Sequence, residues 1–487
     1  MTGDRLPEGW VVADLQTLAG PGGVLCDGDW VESKDQDPDG EVRLIQLADV
    51  GDGVYLDKSA RSLNLETARR LRCTFLQSGD VLIARMPDPL GRACVFPGDA
   101  RMAVTVVDVC IFRACEGRVS HRWLRGALNA PQFRAKVAEL ESGSTRKRIS
   151  RKNLASIEIP VPPLAEQRRI VEKLEELFSQ LDAGVAALER VRANLKRYRA
   201  SVLKAAVEGR LTEEWRRAHP DAEPAAELLK RIRKERREAW EREQLASFEK
   251  KGKQPPKNWR EKYKEPEPPD TTDLPELPEG WCWATVEAVG ETATGGTPSR
   301  AESTYFGPGV PWVKSGELRD GYVTETEEQL TPEGLSACHA SVVPRGALCI
   351  ALYGATVGRL GVLSMDAATN QAICSVSVAP ALPVEYLFYV LLAARQRLLA
   401  ARQGGAQPNI SQGIVRRTAV PLPCCEEQLA IVAEVEARLS VLDALEATVE
   451  ANLARAGRLR QAILKRAFEG RLVPQECGTD AADAGRG

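Results

Sequence analysis

Leu203-Lys204-Ala205-Ala206-Val207-Glu208-Gly209-Arg210-Leu211 is written a second time in this chain, as Leu464-Lys465-Arg466-Ala467-Phe468-Glu469-Gly470-Arg471-Leu472. The echo extends backwards without a gap: residues 143–212 align with 404–473 at a constant offset of 261. Within it Pro160-Val161-Pro162 returns as Pro421-Leu422-Pro423, and Glu166-Gln167 as Glu427-Gln428. Leu6-Pro7-Glu8-Gly9-Trp10 likewise returns as Leu277-Pro278-Glu279-Gly280-Trp281. Between these anchors the halves differ. A frame that repeats around variable inserts predicts one scaffold carrying two different readers.

The repeated ends close two long amphipathic segments. Ile170, Leu174, Leu177, Leu181, Gly184, Leu188, Val191, Leu195, Tyr198, Val202 and Ala205 succeed one another in steps of four and three, a heptad seam. Pro162-Pro163 ahead of the acidic Glu166 suits a helix start, and Gly209 suits a stop. At 1.5 Å per residue this helix is a rod of roughly 65 Å. The second seam is Ile431, Val435, Leu439, Leu442, Leu445, Val449, Leu453, Leu459 and Ile463. Two such stripes in one chain predict antiparallel pairing, with the readers at opposite ends.

The expected fold is therefore mixed α/β (α+β). Two α/β readers are joined by two long antiparallel coiled-coil helices in a pseudo-two-fold duplication. The expected boundaries are a first reader at 1–160, a first long helix at 161–212, and a charged helix with a Pro/acid-rich linker at 213–276. A second reader is expected at 277–423, then a second helix at 424–473 and a disordered tail at 474–487. The charged segment mixes both signs (Arg231–Arg237 among Glu235, Glu238, Glu241 and Glu243). It reads as a solvated helix and an extended spacer, since near-balanced charge gives little net attraction for phosphates.

Composition narrows the function classes. Net charge is −2, so any nucleic-acid contact must come from locally concentrated basic residues or from partners. Twelve cysteines stand without a CxxC pair and three histidines are scattered, which predicts free, reduced thiols and no metal site. No apolar run reaches membrane length and no signal segment opens the chain, so a cytoplasmic location is expected. There is no GxxxxGK[ST] phosphate loop, no Asn/Asp-Pro-Pro-aromatic motif of amino-methyltransferases, and no triad. The chain reads as non-catalytic, binding no cofactor itself.

Candidate contact residues sit in matched places. Gly79-Asp80-Val81-Leu82-Ile83-Ala84 matches Gly346-Ala347-Leu348-Cys349-Ile350-Ala351, and Gly91-Arg92 matches Gly358-Arg359, both at an offset of 267. Each strand leads into a glycine turn carrying arginine, with Arg85 at the first and Tyr353 and Thr356 at the second. Arginine can pair bidentately with guanine or with a phosphate. A second matched loop reads Gly143-Ser144-Thr145-Arg146-Lys147-Arg148-Ile149-Ser150 in the first half and Gly404-Gly405-Ala406-Gln407-Pro408-Asn409-Ile410-Ser411 in the second. Basic residues suit phosphate or guanine, whereas Gln407 and Asn409 suit adenine edges. Thr297, Ser299, Arg300, Lys314 and Ser315 offer further backbone-clamping groups in the second reader, and Lys34, Arg43 and Gln46 in the first.

Together these features resemble the DNA-specificity subunit of type I restriction–modification systems. The resemblance rests on the reader–helix duplication, Pro162–Gln167, the Glu-Gly-Arg-Leu helix ends, and Gly79–Arg85. It also rests on Gly295–Arg300, Pro311–Gly316, Tyr353–Gly358 and Ala368–Ala372. The second helix start departs, with Cys424-Cys425-Glu426 where the first half has Pro163-Leu164-Ala165. The resemblance implies two target-recognition domains, each reading half of a bipartite, asymmetric duplex DNA site. It implies helices that dock two adenine-N6 methyltransferase subunits, with Glu166, Gln167, Leu181, Glu427, Gln428 and Leu442 on the docking helices, and restriction subunits joining through them. S-adenosylmethionine, ATP and Mg²⁺ belong to those partners. Other readings are a specificity subunit of a modification-only methyltransferase and a coiled-coil scaffold whose globular ends bind proteins. If the helices are the ruler, inserting one heptad into both should lengthen the unread gap, as mapped by adenine methylation. Each insertion adds about 10 Å of helix, and an unchanged gap would refute the ruler.

Overall fold

The computed structural model describes residues 6–87, 89–143, 146–400 and 409–475. It divides into two units, one formed by residues 1–191 with 448–487, the other by residues 192–447. Each holds a reader of mixed α/β architecture and one end of both long helices, Leu164–Val207 and Cys425–Phe468. The expected tail beyond residue 475 lies outside the described residues.

In the first unit a four-stranded antiparallel sheet runs in the order Val24–Asp27, Val109–Arg113, Val81–Ala84, Ala93–Val95. A second sheet pairs Val42–Ile45 antiparallel with Ser62–Leu63 and parallel with Met102–Thr105. The second unit repeats the plan. A five-stranded sheet is ordered Gly290–Thr294, Ile373–Val378, Leu348–Ala351, Leu360–Leu363, Gly321–Val323, beside a three-stranded sheet centred on Phe306–Val313. The two strands matched in sequence, Val81–Ala84 and Leu348–Ala351, are both wholly buried.

Each reader is closed by a short ribbon. Val11–Ala13 pairs antiparallel with Ile159–Val161, and Cys282–Thr285 with Ala419–Leu422. The chain therefore enters and leaves each reader side by side, at the start of a long helix. The repeated prolines lie in or just after these two-stranded ribbons, where an absent N–H is tolerated.

The repeated motifs meet at a buried clasp. In Pro7-Glu8-Gly9-Trp10 the Trp10 N–H donates to the Pro7 carbonyl (3.1 Å) with Gly9 at φ +80°, a tight turn that favours glycine. Pro278–Trp281 does the same, with Gly280 at φ +84°. The turn aims each tryptophan inward. Trp10 Nε1 donates to Glu166 (3.1 Å) and Trp281 Nε1 to Glu427 (2.8 Å). Glu166 also accepts from Gln475 Nε2 (2.8 Å), whereas Glu427 accepts from Thr212 Oγ1 (2.7 Å) and Arg216 (2.5 Å). The adjoining glutamines hold the entry loops, Gln167 Nε2 to the Pro162 carbonyl and Gln428 Nε2 to the Pro423 carbonyl.

The helix ends complete the clasp. Arg210 N–H reaches the Ala205 carbonyl and Arg471 N–H the Arg466 carbonyl, the paired-bond stop that places glycine in the left-handed region. Gly209 and Gly470 hold φ of +69° and +70°. A methyl group there would also fall 2.6 Å from Pro278 Cγ and 2.3 Å from Pro7 Cγ. Two constraints therefore demand glycine at the same position, and they account for the repeat.

The long helices pack together in antiparallel sense. In the first unit the start of one meets the end of the other: Ile170, Val171 and Leu174 share a core with Leu464, Ala467 and Phe468, and Trp123 stacks edge-on against Phe468. Arg460 pairs with Asp182 and lies 4.4 Å over the Phe178 ring. In the second unit Arg199 pairs with Asp443 and with Glu446 (3.2 Å). The seam is not continuous, however. Val191, Tyr198, Leu445 and Leu459 are 44–50% exposed, and Leu203 and Ala206 are buried where the heptad pattern assigned Ala205. A straight helix of 3.6 residues per turn drifts off a 3.5-residue stripe.

The charged segment corrects a further expectation. Its helix, Ala225–Lys250, is not simply solvated: Ala225, Leu228, Leu229 and Ile232 are buried. Their spacing is one helical face, obscured in the sequence by surrounding charge. The stretch C-terminal to this helix is not a free linker either, because Trp259 is buried and stacks on Trp240.

The clasps should differ in strength. Glu427→Ala strands the partly buried Arg216 guanidinium and should cost about 3–5 kcal/mol. Glu166→Ala removes a carboxylate held by Trp10 and Gln475 and should cost about 1–3 kcal/mol. Urea unfolding of both variants checks the order.

Candidate nucleic-acid interface

The two loop families singled out in the sequence are joined in both readers by one backbone bond. Ile149 N–H donates to the Arg85 carbonyl (3.1 Å), and Ile410 N–H to the Leu352 carbonyl (2.8 Å). The end of the variable loop is thus pinned to the end of the buried central strand. Ser150 and Ser411 then cap short helices, accepting from Asn153 N–H and Ile414 N–H. The Ser411 hydroxyl is therefore committed to a helix start, which gives a structural reason for its recurrence.

In the first reader the loop is a hairpin tied by Ser142 and Arg148, which exchange backbone bonds of 2.9 and 2.8 Å. Arg146, Lys147 and Arg148 are exposed. Lys147 pairs with Glu141 (2.5 Å), while Arg146 and Arg148 have no acidic partner among the described residues. Ser144, Thr145 and Gln407 lie outside the described residues. In the second reader Asn409 is exposed beside the pinned Ile410, and Tyr353 and Thr356 lie half-buried in the Gly354–Gly358 turn.

The matched arginines part company. Arg359 is exposed and its guanidinium has no partner among the described residues, whereas Arg92 is 7% exposed and donates to the carbonyls of Val50 (2.6 Å), Leu47, Met86 and Pro89. Arg92 is an internal strut, and the expectation that it contacts DNA is corrected on that ground. Arg43 is held by Asp57, Asp99 (2.7 Å) and the Ser59 carbonyl. Arg85 binds Asp27 and the Ile149 carbonyl, bracing the loop. Gln46 caps a turn closed by Asp49. Lys34 is exposed beside Glu32.

The second reader's other cations form one network. Arg300 makes two bonds to Glu328 (2.6 and 3.1 Å) and lies over Phe306 and Trp312, while Lys314 reaches Glu327 and Glu328. Thr297 and Ser299 are exposed, and Ser315 is half-buried. Trp312 is core, its Nε1 donating to the Gly296 carbonyl. Sequence reasoning misses Trp30, which is 70% exposed on a first-reader loop. Its one local signal is the set of acids close by in the chain, Asp27, Asp29 and Glu32.

The predicted docking residues have mixed fates. Glu166, Gln167, Glu427 and Gln428 are at most 5% exposed and belong to the clasps, so they cannot face a partner directly. Leu442 is buried and Leu181 half-buried. The second unit also holds an open cleft of about 1110 Å³ between both long helices and the helix Val384–Ala400, lined by Lys196, Arg199, Tyr389, Arg395 and Asp443 among others. Burial pushes the thiols of Cys73, Cys94, Cys349 and Cys374 up to about 12, which makes them poor nucleophiles. Among the described residues no group of His, Cys, Asp or Glu could hold a metal ion, and no helix is long and apolar enough to cross a membrane.

Residues 129–190 and 278–455 match the type I restriction modification DNA specificity domain. The chain belongs to the type I restriction–modification specificity family. Among curated relatives, it is similar to the EcoKI specificity subunit of Escherichia coli K12, 28% identical across 70% of this chain and 64% of that one. It is likewise similar to the EcoBI specificity subunit of Escherichia coli, 26% identical across 75% of this chain and 69% of that one. The fold matches a chain solved in a study of the assembly and conformational transition of the type I system, with a TM-score of 0.68, 18% identity, and 96% of this chain and all of that one covered. It also matches the HsdS subunit of Thermoanaerobacter tengcongensis, with a TM-score of 0.53, 18% identity, and 96% and 99% coverage. In this specificity subunit, Arg92→Met should lower stability by about 1–3 kcal/mol for each carbonyl left unsatisfied. The recognised DNA sequence should stay unchanged, as read by thermal unfolding and methylation mapping.

Proposed function

We propose that this chain is the non-catalytic specificity subunit of a type I restriction–modification complex, whose two readers each recognise one half of a bipartite, asymmetric DNA site. The observation that carries this reading is the shared pin, Ile149 to Arg85 and Ile410 to Leu352. It fixes chemically different loops to equivalent strands. In the domain 1–160 the loop presents Arg146 and Arg148, free of acidic partners among the described residues, which suits phosphate or guanine. In the domain 277–423 it presents Asn409, whose amide matches the adenine edge. Trp30, Arg359, Thr297 and Ser299 extend the candidate contacts. Lys34, Arg300 and Lys314 must exchange carboxylate partners for phosphates to join them.

The long helices dock two adenine-N6 methyltransferase subunits, and restriction subunits join through these. On the helices, Val191 and Leu459 of the first unit and Tyr198 and Leu445 of the second are exposed apolar side chains, and the cleft in the second unit adds a concave surface. S-adenosylmethionine, ATP and Mg²⁺ are assigned to those partners, as the family resemblance implies.

Methylation mapping of the complex tests the independence of the readers. Arg146→Ala should weaken recognition of the first half-site only, and Asn409→Ala should alter the second and leave the first intact. Loss of one good bidentate contact relaxes discrimination by about 1–3 kcal/mol. Equal loss at both half-sites would refute separate readers.

A further inference from the structure

Charge in the segment between the readers is balanced in total but segregated along the chain. Residues 213–270 hold sixteen basic and fourteen acidic residues. Residues 225–264 alone hold fourteen basic and seven acidic ones, and residues 265–279 hold six acids and no base. The structure folds the basic part into a hairpin. The helix Ala225–Lys250 ends at Gly252 (φ +61°), and the chain returns along it. Trp259 stacks on Trp240 with centroids 5.8 Å apart, Phe248 meets Trp259 edge-on, and Tyr263 packs on Trp240 at 5.3 Å. The base is fixed to the second reader. Ile232 and Leu228 are buried, Arg236 donates to the Gly290 carbonyl, and the Glu267 carbonyl accepts from Thr285 Oγ1.

The cations at the two ends of this hairpin are used differently. Toward the base Lys230 binds Glu227, Arg231 binds Glu223 and Lys234 binds Glu238, while Arg237 and Arg260 share Glu241. Lys250, Lys251, Lys253, Lys257, Lys262 and Lys264 are all exposed and make no ion pair among the described residues, although Glu265 and Glu267 come directly after them in the chain. From Arg236, where the helix touches the reader, to Lys250 it rises about 21 Å, the length of about six base pairs at 3.4 Å each.

We propose that this lysine-bearing end is a third DNA contact, which grips duplex phosphates independently of sequence and flanks the half-site read by the second reader. The inference rests on the DNA-specificity reading and goes beyond it. Charge complementarity selects the occupant. Unpaired ammonium groups on flexible stems match a phosphate backbone without requiring a particular base. A protein partner would need apolar or aromatic anchors, and Leu245 is the one exposed large apolar residue from 225 to 264.

The test is fluorescence anisotropy of the full chain on labelled duplexes, one of random sequence and one carrying the recognised site, across a salt series. The compared variant combines Lys→Gln at positions 250, 251, 253, 257, 262 and 264. Each phosphate contact contributes about 0.9 to the slope of log affinity against log salt. With four to six lysines engaged, the slope should fall by about 4–5 on both duplexes, while the methylated sequence stays the same. The corresponding Lys→Arg variant should keep the slope. A Lys→Gln variant with the wild-type slope would overturn the third contact and leave the specificity reading standing. Release of co-purifying subunits at an unchanged slope would overturn it in favour of a protein surface. A wild-type chain with no salt-dependent DNA binding would overturn both.

Discussion

A buried carboxylate receiving a tryptophan N–H holds each half of this molecule in place. Glu166 and Glu427 lie almost entirely out of water, where an uncompensated charge is costly. Each is answered by an indole aimed by a glycine turn, and by further donors from the end of the opposite long helix or just beyond it. The clasp ties a reader's entry strand, its exit and two helix ends to one point. The variable loops make none of its bonds, so they can change without disturbing the frame.

That division of labour runs through the readers. The central strands Val81–Ala84 and Leu348–Ala351 are fully buried, so their sequences are held by packing. The loops pinned to their ends carry the polar variety. Acidic neighbours decide which cations are already engaged within the fold. In the first reader Arg43 and Arg85 brace the fold, while Arg146 and Arg148 have no acidic partner among the described residues. In the second, Glu327 and Glu328 hold the candidate cations Arg300 and Lys314 in place.

The repeated frame and the helices were legible in the sequence because both are periodic signals that survive without three-dimensional context. The readers' α/β character was legible from short apolar runs between turns. Individual contacts were less so. Arg92 and Arg359 occupy matched positions, yet one is enclosed by the carbonyls of Leu47 and Val50, distant in sequence, and the other faces solvent. Nothing local distinguishes them. Glu166 and Glu427 looked like helix-starting carboxylates on a docking surface, and only the arrival of Trp10 and Trp281 shows why they recur. The aromatic stack of Trp240 on Trp259 joins residues too far apart in the chain for a charge-pattern reading to detect.

Each clasp takes its tryptophan and glutamate from one repeat but its capping glycine from the other. Trp10 and Glu166 close over Gly470, and Trp281 and Glu427 over Gly209. A solitary half would therefore lack the cap its own turn requires and could obtain it only from a twin. By this logic each repeat completes the other's clasp, and the duplicated chain is one interdependent pair rather than two separable modules.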